Sequence, residues 1–229
     1  MYKEHRNIQT PNKKTVIWRY FDLWKFLDLI DSKKLYLPRA DKFEDTFEGR
    51  IPIRKVRELS ENNLLKKLDA FSEKSLTKST YISSWSIDEN ETYSLWKIYS
   101  DYRSAVAIKS NIERLINSIK DNEKEQYIGL VNYINPNRNY NYYGNTYQFF
   151  FEKREYFKFE NEARIVTSLR YNDSKELLLL PEGIKINIDL DELIDEIYLA
   201  PKADQNFKSL IELKLSSLNL NKTVRFSDI

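Results

Sequence analysis

Residues 78–110, KSTYISSWSIDENETYSLWKIYSDYRSAVAIKS, carry the pattern from which the fold can be read. Thr80, Ile82 and Ser84 alternate with Tyr81, Ser83 and Trp85, and the β-branched and aromatic content suits a strand. Asp88, Glu89 and Asn90 stop it. Thr92, Leu95, Trp96 and Tyr99 then recur at helical spacing and predict an amphipathic helix. Residues 104–109, SAVAIK, form a short apolar run, most simply a buried strand. The unit is strand, turn, helix, strand. Trp85 and Trp96 are large enough to mark a core or a pocket wall. Ser84 and Ser86 flank Trp85 and face one side of the strand, because side chains alternate. Two hydroxyls there can hold a polar ligand or cap the next turn, and capping is the commoner use.

The same signals extend in both directions. Residues 15–21, TVIWRYF, predict a first strand. Leu23, Phe26, Leu27 and Ile30 predict a helix behind an Asp22 N-cap, and residues 34–37 a second strand stopped by Pro38. Residues 53–75 are charged and leucine-rich and predict one or two surface helices. Further on, the pattern predicts a helix over 111–120 and strands over 127–135, 162–168, 177–180, 184–188, 194–199 and 223–226. A last helix covers 204–217. Residues 136–151, PNRNYNYYGNTYQFFF, have no period and predict a loop, with Tyr140, Tyr142 and Tyr143 placed to stack on bases or line a protein contact. The expected class is α+β: a single domain over 1–229, a mixed or antiparallel central sheet with flanking helices, and a loose segment over 1–14.

Composition narrows the chemistry. In 229 residues, 37 Lys and Arg stand against 35 Asp and Glu, a net charge of +2 that gives no support to a general nucleic-acid or membrane-surface binder. There is no cysteine, hence no thiolate nucleophile or thiolate metal site, and the single histidine, His5, lies in a polar N-terminal stretch. None of the four glycines forms a phosphate-cradling cluster. No apolar stretch approaches the roughly 18 residues a membrane helix needs, and no apolar signal core opens the chain, so a cytoplasmic protein without membrane partners is expected.

Three places hold candidate functional residues. Arg19 sits in the first strand between Trp18 and Tyr20, where it either pairs structurally or holds an anion. Glu44, Asp45 and Glu48 crowd one turn, as capping acids or as cation ligands. In residues 149–169, FFFEKREYFKFENEARIVTSL, Glu160 and Glu162 are two apart, so an extended chain would point both to one face. Two such carboxylates repel, and one pKa rises unless a cation stands between them. Arg164, two further on, is the evident partner.

Four stretches together resemble a widespread bacterial and phage group, the "domain of unknown function 2971" family. They are WRYFDLWKFLDLIDSKKLYLPRADKFEDTFEG, SSWSIDENETYSLWKIYSDYRSAVAI, FFEKREYFKFENEARIV and INIDLDELIDEIYLAPKA. Glu44-Asp45-Thr46 departs from that family's Asn-Asp-Pro turn, and Ser104 from its glycine. That family name supplies no activity. The order of Arg19, then Ser84-Trp85-Ser86, then Glu160-Asn161-Glu162 more loosely resembles the R-S-E pattern of ADP-ribosyltransferases. The resemblance implies an ADP-ribosyltransferase-like fold that uses NAD as substrate and needs no metal. It implies that Arg19, with Tyr20 beside it, holds the NAD phosphates, and that Ser84, Trp85 and Ser86 belong to the nicotinamide–ribose pocket. Glu162 would steady the ribosyl cation, with Glu160 as its catalytic partner. Phe157 or Phe159, with Tyr142 and Tyr143, would recognise a macromolecular target, protein or nucleic acid. Toxin and phage-defence roles follow from the same resemblance. On this reading Arg19, Ser84 and Glu162 converge on one cleft. The alternatives are a non-catalytic module that senses a nucleotide or a phage protein, and a metal-dependent phosphodiesterase built on Asp45, Glu48, Glu160 and Glu162.

Overall fold

The computed structural model describes residues 1–45, 47–49, 73–99, 102–135 and 146–229. In chain order, β1 (Val16–Asp22) runs straight into α1 (Leu23–Ser32), and β2 (Lys34–Pro38) follows through Lys33, whose backbone is left-handed. Asp22 stands at the N-cap as expected, but its carboxylate takes the Lys25 ammonium at 2.7 Å and makes no cap bond. Next come α2 (Glu73–Ser79), β3 (Thr80–Ile87), α3 (Tyr93–Tyr99), β4 (Ala105–Asn111) and α4 (Ile112–Ser118), capped by the Asn111 side chain. The expected strand over 127–135 is two strands, β5 (Tyr127–Leu130) and β6 (Asn132–Ile134). They part at Val131, whose N–H turns to the Glu162 carbonyl at 2.8 Å. The chain continues with a 3-10 helix over Thr146–Phe151, β7 (Glu152–Arg154), a second 3-10 helix over Glu155–Glu160, and β8 (Glu162–Ser168).

The strand expected over 177–180 is instead part of α5 (Ser174–Leu179). Asp173 caps it by accepting from the Lys175 and Glu176 backbone N–H groups, so a local cap decides against the apolar run. β9 (Gly183–Asn187), the single turn α6 (Leu190–Leu193), β10 (Glu196–Leu199), α7 (Gln205–Ser217) and β11 (Thr223–Phe226) complete the chain. The class is α+β with mixed sheet pairing, as expected. Most of the helices expected over 53–75, and Tyr140, Tyr142 and Tyr143, lie outside the described residues. Among the described residues no helix is long and apolar enough to cross a membrane.

Contacts divide the chain into two compact units. One comprises Met1–Thr10, Leu37–Ser83 and Glu123–Ile184, the other Pro11–Tyr36, Ser84–Asn122 and Lys185–Ile229. In the second unit the strand order is β11, β10, β4, β1 and the C-terminal half of β3. β1 is antiparallel to β4 from Val16↔Asn111 to Asp22↔Ala105, and β10 and β11 are parallel. Trp18, Tyr20, Ala105, Ala107 and Tyr198 pack with Trp96 of α3, so the helix predicted from residues 92–99 covers this face of the strands. In the first unit β8 pairs antiparallel with β5, from Tyr127↔Val166 to Leu130↔Ala163, and lies beside β3. Residues 1–10, expected as a loose segment, are held along β5: Lys3 N–H donates to the Gln126 carbonyl at 2.9 Å, and Leu130 N–H to that of Gln9 at 2.8 Å. Ile8 is buried in that unit's core beside Phe150 and Phe151.

Candidate functional site

Glu162 opens β8, two residues before Arg164 on the same strand face, and the two side chains meet as expected: Arg164 Nε donates to Glu162 Oε2 at 2.6 Å. Glu160 does not share that strand. It ends the 3-10 helix, and Asn161 between the two acids is left-handed, φ 42°, a conformation asparagine tolerates. The tight reversal brings the Glu160 and Glu162 carboxyls into hydrogen-bond contact, which an extended chain would not do.

The cation between them is Lys153 of β7. Its ammonium donates to Glu160, to Glu162 Oε1 at 2.9 Å, and lies 3.2 Å from Glu48 Oε1. Glu48 in turn receives Arg164 in a two-pronged pair, Nη1 to Oε2 at 2.6 Å and Nη2 to Oε1 at 2.9 Å. Arg164 Nη1 also donates to the Phe150 carbonyl at 2.9 Å. Next to Glu48, Gly49 adopts φ +70° with the Phe150 ring so close that a Cβ there would lie 2.4 Å from it. These five side chains are out of water: Arg164 is 0% exposed, Glu48 3%, Glu160 and Glu162 5%, Lys153 8%.

Among the described residues three carboxyls thus meet two cations, and their balance is one negative charge too many unless a proton is held. Burial, then the hydrogen bond and charge of Glu162, raise the Glu160 pKa to about 7. Burial alone would raise Glu162 too, but the charge on Arg164, the Glu160 hydrogen bond and Lys153 outweigh it and hold its carboxyl well below the ordinary range. Below about pH 7 the proton therefore sits on Glu160 and the charge on Glu162. For Lys153, desolvation is outweighed by Glu162 and Glu48, so the ammonium persists. Tyr133 of β6 closes the site, its phenol oxygen accepting from Glu162 N–H at 2.9 Å.

Aromatic rings border the cluster. Lys153 Nζ lies 4.7 Å from the Phe157 ring centroid. Arg154, paired with Asp45 at 2.8 Å, lies over Phe47 at 4.4 Å. Phe157 is half-buried against these cations, whereas Phe159 is exposed. Lys153 and Arg154 were not among the residues expected from sequence; Glu48 was expected beside Glu160 and Glu162 as a metal ligand, and it joins them instead through Lys153 and Arg164. The Glu-x-Glu-x-Arg excess of acid near Lys153 was a signal for a lysine counter-ion; the partner Glu48, 116 positions from Arg164, left no local signal. The carboxylates proposed as metal ligands are already satisfied by cations: Asp45 by Arg154, the others by Lys153 and Arg164.

Arg19 belongs to the second unit. Its guanidinium lies 5.3 Å from the Phe21 ring centroid and 5.7 Å from that of Trp85, with Nη2 3.4 Å from the Tyr36 carbonyl. Desolvation alone lowers its pKa to about 10. The register Ile17↔Ile87 and Trp18↔Ser86 puts Arg19, Phe21 and Trp85 on one face and Trp18, Tyr20, Ser84 and Ser86 on the other. Within this unit the guanidinium and the two serine hydroxyls therefore do not face one side. Tyr20 packs edge-on against Trp96 at 5.0 Å, and its phenol oxygen accepts from Thr92 N–H at 2.8 Å; desolvation raises its pKa to about 12. The Ser84 hydroxyl is buried and makes no hydrogen bond, so it is not the turn cap that serine pairs usually supply.

No family model matches this sequence, and no curated protein matches it. Among solved structures it is similar to DarT of Thermus sp. 2.9 in complex with NAD+. The identity is 10% and the TM-score 0.41, over 95% of this chain and 97% of that one.

Proposed function

We propose that this chain is an NAD-dependent ADP-ribosyltransferase-like protein that modifies a macromolecule, in the manner of a toxin or phage-defence effector. The observation that carries this reading is the Glu160–Glu162 pair, two touching carboxyls whose surroundings drive their pKa values apart. Glycosidic cleavage of NAD breaks the bond between the ribose anomeric carbon and the nicotinamide nitrogen, and the bonding electrons leave with nicotinamide. The ribosyl group that remains is cationic, and a permanently ionised Glu162 is the group to face it. A target nucleophile must lose a proton as it bonds to that carbon. Glu160, poised near neutrality, is suited to accept it once its own proton has gone to solvent. Phe157 and Phe159 would meet the target beside the pair.

One observation favours a second reading, a non-catalytic nucleotide- or protein-sensing module. Both Glu162 oxygens are already taken, Oε1 by Lys153 and Oε2 by Arg164, as in a structural clamp. Incubation with NAD separates the two. The transferase should release nicotinamide or label a component of a cell lysate, and Glu162→Gln should abolish this while circular dichroism and melting show a folded protein. Nucleotide binding without turnover would instead support the sensor.

Arg19 has its own test. A guanidinium that clamps a pyrophosphate uses its planar fork, which a lysine ammonium lacks. Arg19→Lys should then weaken NAD binding about tenfold to a hundredfold, on the order of 1.5–3 kcal/mol by calorimetry. Unchanged affinity with a lowered melting temperature would leave Arg19 as a packing partner of Phe21 and Trp85.

A further inference from the structure

We infer that Lys153 is a positioning residue of the carboxyl pair: held by Glu48, its ammonium bridges Glu160 and Glu162 and keeps the two carboxyls in contact, while Arg164 on the other Glu162 oxygen makes that acid the carboxylate. The catalytic use of that arrangement rests on the transferase reading; the arrangement itself does not. Among the described residues Lys153 is the one side chain that touches all three carboxyls, with Glu162 Oε1 at 2.9 Å and Glu48 Oε1 at 3.2 Å. Arg164 reaches Glu162 and Glu48. The two acids therefore differ in their cation complement. Glu162 receives both cations, one on each oxygen, and is the better place for negative charge. Glu160 receives the ammonium and the carboxyl of Glu162, and a proton between the two acids removes their repulsion.

Among the described residues, five elements supply the groups that face the pair. β7 supplies Lys153, the 3-10 helix Glu160, β8 Glu162 and Arg164, the turn before residue 50 Glu48, and β6 the Tyr133 phenol. Asp45 and Arg154 neutralise each other nearby. The Phe157 ring lies against the ammonium, which is 4.7 Å from the ring centroid. Lysine's flexible stem and compact charge suit a role that spans three acceptors.

The test is a carboxyl-carbon NMR titration of the whole protein, which needs no NAD. In the parent protein Glu160 should titrate with a midpoint near 7. Lys153→Met removes the charge and should raise that midpoint by about one to three pH units. Lys153→Arg keeps a cation and should return it to within about half a unit of the parent, since the shift follows the charge. A Lys153→Met midpoint equal to the parent's overturns the inference. If that variant does not fold, the Lys153 Nζ nitrogen of the parent protein is followed instead: its shift should titrate with the Glu160 midpoint, and a flat trace overturns the inference equally. The pH profile of nicotinamide release forms the second arm. Its limb should move with the Glu160 midpoint in Lys153→Met. A moved NMR midpoint in a protein that never releases nicotinamide keeps the positioning role and rejects the transferase.

Discussion

Replacing Arg164 by methionine should lower the free energy of unfolding by about 3–5 kcal/mol, because it removes one partner from a buried ionic network and leaves the others uncompensated. Arg164 is wholly buried and donates to Glu162, to both oxygens of Glu48 and to the Phe150 carbonyl. Methionine fills much of the same space, so the loss reports charge and hydrogen bonding more than a cavity. After the change Lys153 alone faces Glu48 and Glu162, and the Phe150 carbonyl loses its donor. Urea unfolding should show the loss as a lower midpoint with an unchanged slope. Adding Glu48→Leu restores the charge balance: one carboxylate, Glu162, against one ammonium, Lys153, with Glu160 protonated. The double variant should therefore recover part of the loss, as buried pairs replaced by apolar side chains commonly do. A loss below about 1 kcal/mol in the single variant, the range of exposed pairs, would show that water reaches the cluster and that its charges are not coupled.

The contrast between what the residues announced and what they concealed is sharpest around this cluster. The strand–helix–strand pattern of residues 80–111 was legible because alternation and 3.6-residue spacing are local, and β3, α3 and β4 follow it closely. The Glu162–Arg164 contact was legible for the same reason: residues two apart on a strand share a face. Glu160 was misplaced because the left-handed turn at Asn161 breaks the extended geometry, and an asparagine in a charged run gives only a weak turn signal. Residues 177–180 misled by composition, since four leucines fit a strand as well as a helix and the cap that decides between them, Asp173, lies four residues upstream. Glu48 and Lys153 join the site only through tertiary packing. The faces of Arg19 and Ser84 were concealed as well. Each strand's alternation is readable alone, but the register between β1 and β3 decides which faces coincide.

The contribution of Glu160 to stability should fall by about 3 kcal/mol as the pH rises from about 4.5 to about 7, the reverse of the usual behaviour of a buried, paired carboxylate. Glu160 is the cause. Its pKa rises from the ordinary 4.5 to about 7 on folding, through burial first and then through the hydrogen bond and charge of Glu162. Between those two values the folded chain keeps a proton that the unfolded chain has released, so each step up in pH favours unfolding. Above about 7 both states have lost the proton and this contribution is gone. Glu162 acts in the opposite sense but outside the window: its depressed pKa contributes stability above the ordinary carboxylate range that is lost only in stronger acid. Glu160→Gln isolates the effect. A glutamine amide can donate to Glu162 and accept from Lys153 without a titrating proton, so the slope across this window should flatten while the protein remains folded. Urea midpoints collected through the window for both proteins make the measurement. A parent protein as flat as the variant would show that Glu160 is already ionised in the folded state, and the proton between the two carboxyls would have to be abandoned.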